Sequence, residues 1–453
     1  MKMNKTLLAI LAMSSVAGVA QAQVNLINSD QSELSLYGIL DAGLVQMTGA
    51  GNISPNFVTG AVPTGSAGAH VGTVRGMMNG GESQSRWGIK GSEDLGDGNK
   101  AFFQLESAFS LGSGNLATSG LSGSNGVSGA ANTPTHNMIA DTSLNGQLFN
   151  RNAFIGLSNV DLGAVSFGRQ NSVQLDVITS TGGGYDPVNA QMFSPINFSG
   201  SYGGGGVTDD ARVDNAIKYA KKFGNINVNA MYAFGGIAAS STARGVAQLN
   251  VGYEDNAFGI QAATQQAHDT TALNPGTVGA LAAGPQTVNA QFLNLTSYML
   301  TGRYQVTEPL SLKAGYERME YTAPTNFAAD RAMNTIYSYT IATASAFTGA
   351  QKNLNVYWLG GNYELSPATK FSVGYYDVEL PSGTGNGAGG VYATSGSDKY
   401  LSAMVEYNLS KKTNVYAAFM QDRKSGAMAY VGAAGSYTPN TFNTYGAGLR
   451  VKF

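Results

Sequence analysis

An all-β fold, a sixteen-stranded antiparallel barrel, is what this 453-residue sequence predicts. Three observations carry the prediction. Apolar and polar residues alternate with a period of two through many short segments, the mark of strands that see two different environments. Tight turns and long loops take turns in joining those segments. Gly is 60 of 453 residues, about twice the usual share, and charged residues are 12%, about half of it.

The first 22 residues read as a cleaved secretory signal. Lys2 and Lys5 precede the apolar run LLAILAM, and Ala20-Gln21-Ala22 supplies small residues before a cut. The mature chain is then expected to start at Gln23 and to form one barrel over 23–453. With Lys2 and Lys5 removed its formal charge is 24 − 28, or −4.

The two-faced pattern opens at LYGILDA, where Leu34, Leu36, Leu40 and Ala42 share one face, and Tyr37 and Asp41 the other. In RWGIKG, Trp87 and Ile89 oppose Arg86 and Lys90; in KAFFQLES, Ala101, Phe103 and Leu105 oppose Lys100, Gln104 and Glu106. The pattern returns in LSLKAGYE and YLSAMVEYNL and ends in YGAGLRVKF, where Tyr445, Ala447, Leu449, Val451 and Phe453 oppose Arg450 and Lys452. It places strands at 34–44, 84–92, 100–109, 149–158, 163–171, 212–222, 225–233, 247–254, 257–266, 291–305, 309–319, 353–364, 369–379, 398–409, 412–422 and 444–453. Alternation is weakest over 225–266.

A soluble sandwich would also alternate. The connections argue for a membrane instead. SEDLGDGN, NVDLG, KFGN, EDN, TEP, SPAT and SKKT are tight turns, whereas 45–83, 110–148, 172–211, 321–350 and 424–442 are long and rich in Gly, Ser, Thr and Asn. Aromatics recur near strand ends, at Tyr298, Tyr304, Tyr363, Tyr407, Tyr445 and Phe453. Short turns on one side, long loops on the other and interface aromatics describe a transmembrane β-barrel with both termini on the periplasmic side. Closure of the last strand on the first leaves no edge in lipid. Sixteen strands enclose an aqueous lumen.

The stretches LSLYGILDAGL, SRWGIKGSEDLGDGNKAFFQLES, FNRNAFIGLSNVDLGAVSFGRQ, ARVDNAIKYA and YGAGLRVKF resemble the general diffusion porins of Gram-negative outer membranes, the trimeric β-proteobacterial and neisserial type. They fall in family order and frame nearly the whole mature chain. The resemblance implies a homotrimer in outer-membrane lipid and lipopolysaccharide, and a terminal aromatic, Phe453, read by the barrel-assembly machinery. It also implies a third long loop that folds inward and narrows the channel for small hydrophilic solutes and ions. That loop is 172–211, with Asp176, Asp186, Asp209 and Asp210 and no Lys or Arg. The family's wall arginines match Arg86, Arg151 and Arg212. Parity puts Arg86, Lys90, Lys100, Arg212 and Lys218 on the lumen face, whereas Arg151 shares the parity of outward-facing Ala153, Ile155 and Leu157. Arg169 shares that of Val165 and Phe167. A basic wall predicts a weak preference for anions. The first two long loops depart from a compact family member in length.

Other readings fare less well. There is no cysteine, hence no disulfide. Beyond the signal no apolar run approaches the roughly 20 residues of a membrane helix. Near-neutral charge speaks against nucleic acid as a partner. His70, His136 and His268 lie far apart in loops, no metal motif is present, and GGGYD and GGGG lack the Lys and helix of a phosphate loop. No cofactor and no catalytic group are expected. Two alternatives stay open. A sugar- or acid-selective channel would use lumen aromatics such as Tyr37, Phe102 and Tyr416. An adhesive barrel would use the neutral loops 45–83 and 110–148.

Overall fold

The computed structural model describes residues 23–29, 31–50, 72–109, 111–112, 114, 116, 148–179, 184–196, 212–274, 287–330, 335–336, 339–347, 352–381, 395–426 and 441–453. The signal call on 1–22, Asp209, Asp210, most of 110–148 and the segment 51–71 lie outside the described residues.

The strands, in chain order, are β1 (Gln23–Asn28), β2 (Ser32–Ala50), β3 (Gly72–Asn79), β4 (Arg86–Gly96), β5 (Asn99–Ala108), β6 (Asn152–Asn159), β7 (Gly163–Asn171), β8 (Arg212–Phe223), β9 (Ile226–Ala233) and β10 (Val246–Glu254). They continue as β11 (Phe258–Asn274), β12 (Thr287–Thr307), β13 (Leu310–Thr322), β14 (Thr335–Ile336), β15 (Tyr339–Ala346), β16 (Lys352–Ser366), β17 (Thr369–Leu380), β18 (Gly396–Asn408), β19 (Thr413–Gly426) and β20 (Thr441–Lys452). Sixteen of them form one closed antiparallel barrel. β2 pairs with β4, each later strand with the next as far as β13, β13 with β16, and so on to β20, which returns to β2. Every expected strand is present, including the weakly alternating ones between 225 and 266.

The barrel is inverted relative to a soluble protein. On β2, Leu44 is 72% exposed while Asp41 is 0%; Ile155 on β6 is 62% exposed while Glu106 on β5 is 3%. Apolar side chains therefore face lipid and polar ones face inward. Among the described residues no helix is long and apolar enough to cross a membrane. The strands do the crossing.

The tight connections follow from turn chemistry. Asp97 and Gly98 both take positive φ, 51° and 77°, as a two-residue hairpin turn with right-handed strands requires. Asn159 accepts N–H bonds from Asp161 and Leu162, and Ser410 from Lys412 and Thr413. Asp255 does the same for Ala257 and Phe258. The Phe258 N–H, the Tyr253 hydroxyl and the Ala257 N–H hold the Asp255 carboxyl below the ordinary carboxylate range.

Three features differ from the sequence reading. The expected loop 45–83 is partly strand: β2 runs on to Ala50, and β3 pairs with its upper half while β4 pairs with its lower half. β3 and β4 thus form one barrel strand broken at 80–85. The expected loop 321–350 contains β14 and β15, and β15 lies parallel to the top of β12. Asp269, buried at a bulge in β11, accepts the N–H groups of Thr325 and Asn326 and fixes the start of that loop. Finally, β1 pairs with the lower part of β2, in line with the end of β20.

Candidate functional site

The inner face of β2–β8 carries a group of arginines. Arg86, at the head of β4, has its Nε 3.7 Å from Oε2 of Glu106, and Arg151 pairs with Oε1 of the same carboxylate. The Tyr37 hydroxyl donates to Glu106 at 3.1 Å, and Gln104 donates to that hydroxyl. Arg212, at the head of β8, is buried within electrostatic reach of Arg151, Glu106, Arg169 and Arg86. Arg169 pairs with Asp214 and donates to the Asn150 carbonyl at 3.1 and 2.9 Å. Four guanidiniums thus face two carboxylates.

Parity misplaced two of these residues. Arg151 precedes β6, in a turn held by Asn150, whose amide bridges the N–H and carbonyl of Ala108 at 2.8 and 3.0 Å. Strand alternation does not apply there, and its side chain turns inward to Glu106. Arg169 follows Gly168, whose φ of +128° marks a register shift between β7 and β8. The irregularity rotates Arg169 inward. A Cβ on Gly168 would collide with the Ala153 carbonyl, so glycine is needed at that place.

The other expected basic residues are spread out. Lys90 sits over the Tyr37 ring, 5.5 Å from its centroid. Lys100 lies beside the Asp97–Gly98 turn, opposite Asp94, at the periplasmic end and far down β5 from the arginines. Lys218 pairs with Asp176 and donates to the Asn171 carbonyl at 3.0 Å.

Asp176 belongs to a short helix, Val173–Thr179, that follows β7 directly. Its start is tied to the β10 wall by the Val173 N–H, which donates to Gln248 at 2.7 Å. The described stretch 184–196 then touches the inner-face side chains of later strands. The Trp358 indole donates to the Tyr185 carbonyl at 3.0 Å, Lys313 to that of Asp186 at 2.9 Å, and Asn362 to that of Pro187 at 2.7 Å. Ser402 donates to the Phe193 carbonyl. Val177, Ile178, Tyr185, Met192, Phe193 and Ile196 are buried there. Asp186 was expected among acidic groups facing the basic wall. It is instead fully buried and accepts the Tyr376 hydroxyl at 2.6 Å and the Val188 N–H at 3.2 Å. Burial raises its carboxyl pKa, and the tyrosine and backbone donors oppose that shift.

A second patch was not foreseen. The segment 80–85 turns in from the wall and meets the stretch above: the N–H groups of Gln191 and Met192 donate to the carbonyls of Glu82 and Gly81 at 2.9 and 3.0 Å. Asp41 holds it in place, accepting the N–H of Glu82 at 3.0 Å, that of Ser83 at 2.6 Å and the Tyr416 hydroxyl at 2.6 Å. Glu82 pairs with Arg450 and accepts Asn414 at 2.7 Å; Glu406 pairs with Lys370 at 2.5 Å. The broken alternation after Gly80 was the one trace of this in the sequence. Among the described residues no group of three His, Cys, Asp or Glu side chains could hold a metal.

Residues 7–427 match the family model described as Gram-negative porin. The chain belongs to that family. It is an outer-membrane porin, whose barrel provides a channel for diffusion. An outer membrane porin protein of Bordetella pertussis is 28% identical over 450 residues, covering 94% of this chain and 98% of the relative. Among solved structures, OmpT of Vibrio cholerae matches with a TM-score of 0.57 at 16% identity, over 94% of this chain and 99% of the other. An anion-selective porin from Comamonas acidovorans matches with a TM-score of 0.56 at 18% identity, over 93% and 100%. OmpT in its trimer form matches with a TM-score of 0.55 at 17% identity, over 94% and 100%. At these identities the structures bear on the fold alone.

Proposed function

We propose that the third long loop, through its described parts 172–179 and 184–196, narrows the barrel as a constriction, and that the channel passes small hydrophilic solutes and ions with a weak preference for anions. The supporting observation is the charge balance of the inner wall. Lys218 neutralises Asp176, and Asp186 is buried against Tyr376. Asp41, Glu82 and Glu406 are occupied by N–H groups, Tyr416, Arg450 and Lys370. Against these, Arg86, Arg151, Arg169 and Arg212 gather around two carboxylates, Glu106 and Asp214. That arginine group leaves a surplus of positive charge on its part of the wall, which favours an anion in the lumen over a cation. Charged rings of this kind set selectivity in pores.

The same reading includes no chemistry: the protein is a passive channel and not an enzyme. A homotrimer is the assembly it implies, with the barrel-assembly machinery reading Phe453. A sugar-selective channel is disfavoured by the aromatics it would need. Tyr37 is bonded to Glu106, Tyr416 to Asp41, and Phe102 packs edge-on against Phe154 at 6.3 Å. The test is single-channel conductance in a planar bilayer, with the reversal potential read under a salt gradient. Steps in threes with an anionic reversal potential support the proposal. A cationic one sinks the basic-wall argument, and silent but folded barrels sink the open channel.

A further inference from the structure

The kink between β3 and β4 holds more chain than the wall needs. β3 ends with Asn79 opposite Ala42, and β4 begins with Arg86 opposite Ile39. Six residues, 80–85, therefore stand where Leu40 and Asp41 leave room for two. Both ends are pinned to one residue. The Gly80 N–H donates to the Asp41 carbonyl at 3.1 Å, and the Ser85 hydroxyl donates to the same oxygen at 3.0 Å. The surplus turns inward at Gly80, whose φ is +89°. A Cβ there would lie 2.6 Å from the Ser83 carbonyl oxygen, so the turn requires glycine. Glu82, Gln84 and Ser85 are buried.

This short segment touches both the basic wall and the inward stretch. On one side Gln84 accepts a hydrogen bond from Arg151, a member of the arginine group. On the other, Glu82 and Gly81 offer their carbonyls to the N–H groups of Gln191 and Met192. Phe193, the next residue, lies over Gly446 of β20, where a Cβ would come within 2.6 Å of its ring. A third set of contacts sets the depth of the segment. Arg450 pairs with Glu82, and it donates to the Ser83 hydroxyl and to the Asn414 side-chain oxygen, each at 2.9 Å. Asn414 in turn donates to Glu82 at 2.7 Å. Glu82, Arg450 and Asn414 thus close a ring of charge-assisted bonds, which are the strong ones.

We propose that segment 80–85 is a spacer: it sets the gap between the arginine group and the stretch 184–196, and with it the largest uncharged solute that passes. Glu82 and Arg450 are its positioning residues. They act through the backbone of Gly81 and Glu82, not by touching the solute. The inference rests on the reading of that stretch as the constriction. It concerns size and not charge, so it stands apart from the anion preference. A spacer bonded on both faces resists compression and drift alike, whereas a loop held only at its roots would let the gap vary.

The experiment reconstitutes the full-length protein in liposomes and follows swelling in arabinose, glucose, sucrose and raffinose, uncharged probes of rising size. Wild type should admit raffinose far more slowly, relative to arabinose, than free diffusion alone gives. Glu82→Gln breaks the ion pair, and Asn414→Ala opens the same ring with no change of charge. Both should raise the raffinose-to-arabinose ratio. Amide hydrogen exchange gives the structural readout. Gln191 and Met192 should be protected in the wild-type barrel and exchange about tenfold faster in either variant, the effect of losing one charge-assisted bond. Fast exchange at both amides in wild type would overturn the spacer without need of any variant. So would a folded Asn414→Ala barrel with wild-type sieving and exchange. Wild-type barrels that pass raffinose in proportion to its free diffusion would sink the constriction reading and the spacer with it, whereas unchanged sieving in the variants sinks the spacer alone.

Discussion

Arg212 is the side chain at which the proposed anion preference can be tested most directly. It is buried, flanked by three other guanidiniums, and shares Glu106 with two of them. Replacing it by Gln removes one surplus charge while keeping a polar side chain. A unit charge about 8 Å from a passing ion in water contributes on the order of 0.5 kcal/mol, or about a factor of two. Arg212→Gln should therefore lower the anion-to-cation permeability ratio about twofold, read as a shift of the reversal potential in a salt gradient. Lys100→Gln, at the periplasmic turn, should leave it nearly unchanged. Equal effects of the two substitutions would place the selective region elsewhere.

At the scale of elements, the stretch 184–196 is held by the wall through side-chain donors to its backbone. Trp358, Lys313 and Asn362 each reach a different carbonyl, and Tyr376 reaches the Asp186 carboxylate. Charge-assisted bonds to buried groups are the expensive ones to lose, at about 1–3 kcal/mol. Tyr376→Phe removes the donor and keeps the ring. It should lower barrel stability by that amount in a denaturant titration. Because Asp186 anchors the stretch near its start, open-channel current noise should rise as well. A destabilised barrel with a quiet current would separate this contact from the constriction. Segment 80–85 is a second inward element, fastened by Asp41.

At the scale of the molecule, closure depends on the chain's end. Phe453 exchanges backbone hydrogen bonds with Gly38, at 3.1 and 2.9 Å, and its ring covers Gly38 where a Cβ would overlap it. The two belong together: a larger residue at 38 would evict the ring. Phe453→Ala should lower the stability of the refolded barrel by roughly 1–2 kcal/mol, less than a fully buried Phe would lose. If Phe453 is also the assembly signal, the yield of barrel in cells should fall much further than that loss predicts. A fall in cells no larger than in vitro would count against the signal role. The anion preference should also fade between 0.1 and 1 M salt, as the screening length drops from about 10 Å to about 3 Å. A preference unchanged by salt would point to steric rather than electrostatic selection.

The sequence by itself determined the barrel. A period of two reports only which face each residue presents, and in a membrane the two faces differ so strongly that the pattern survives even in Gly-rich strands. Arg86, Lys90 and Lys218 were therefore placed on the inner face from their neighbours alone. What the tertiary structure decided begins where alternation stops. Arg151 sits in a turn and Arg169 after a bulge, so parity assigned both outward while their side chains turn inward. Asp186 carried no local sign that it would meet Tyr376, a residue 190 positions away. The break at 80–85 is set by Asp41 and Arg450, which are neighbours only because β20 closes on β2. Period is a local property of the chain, whereas ion pairing across a lumen exists only after the sheet has closed.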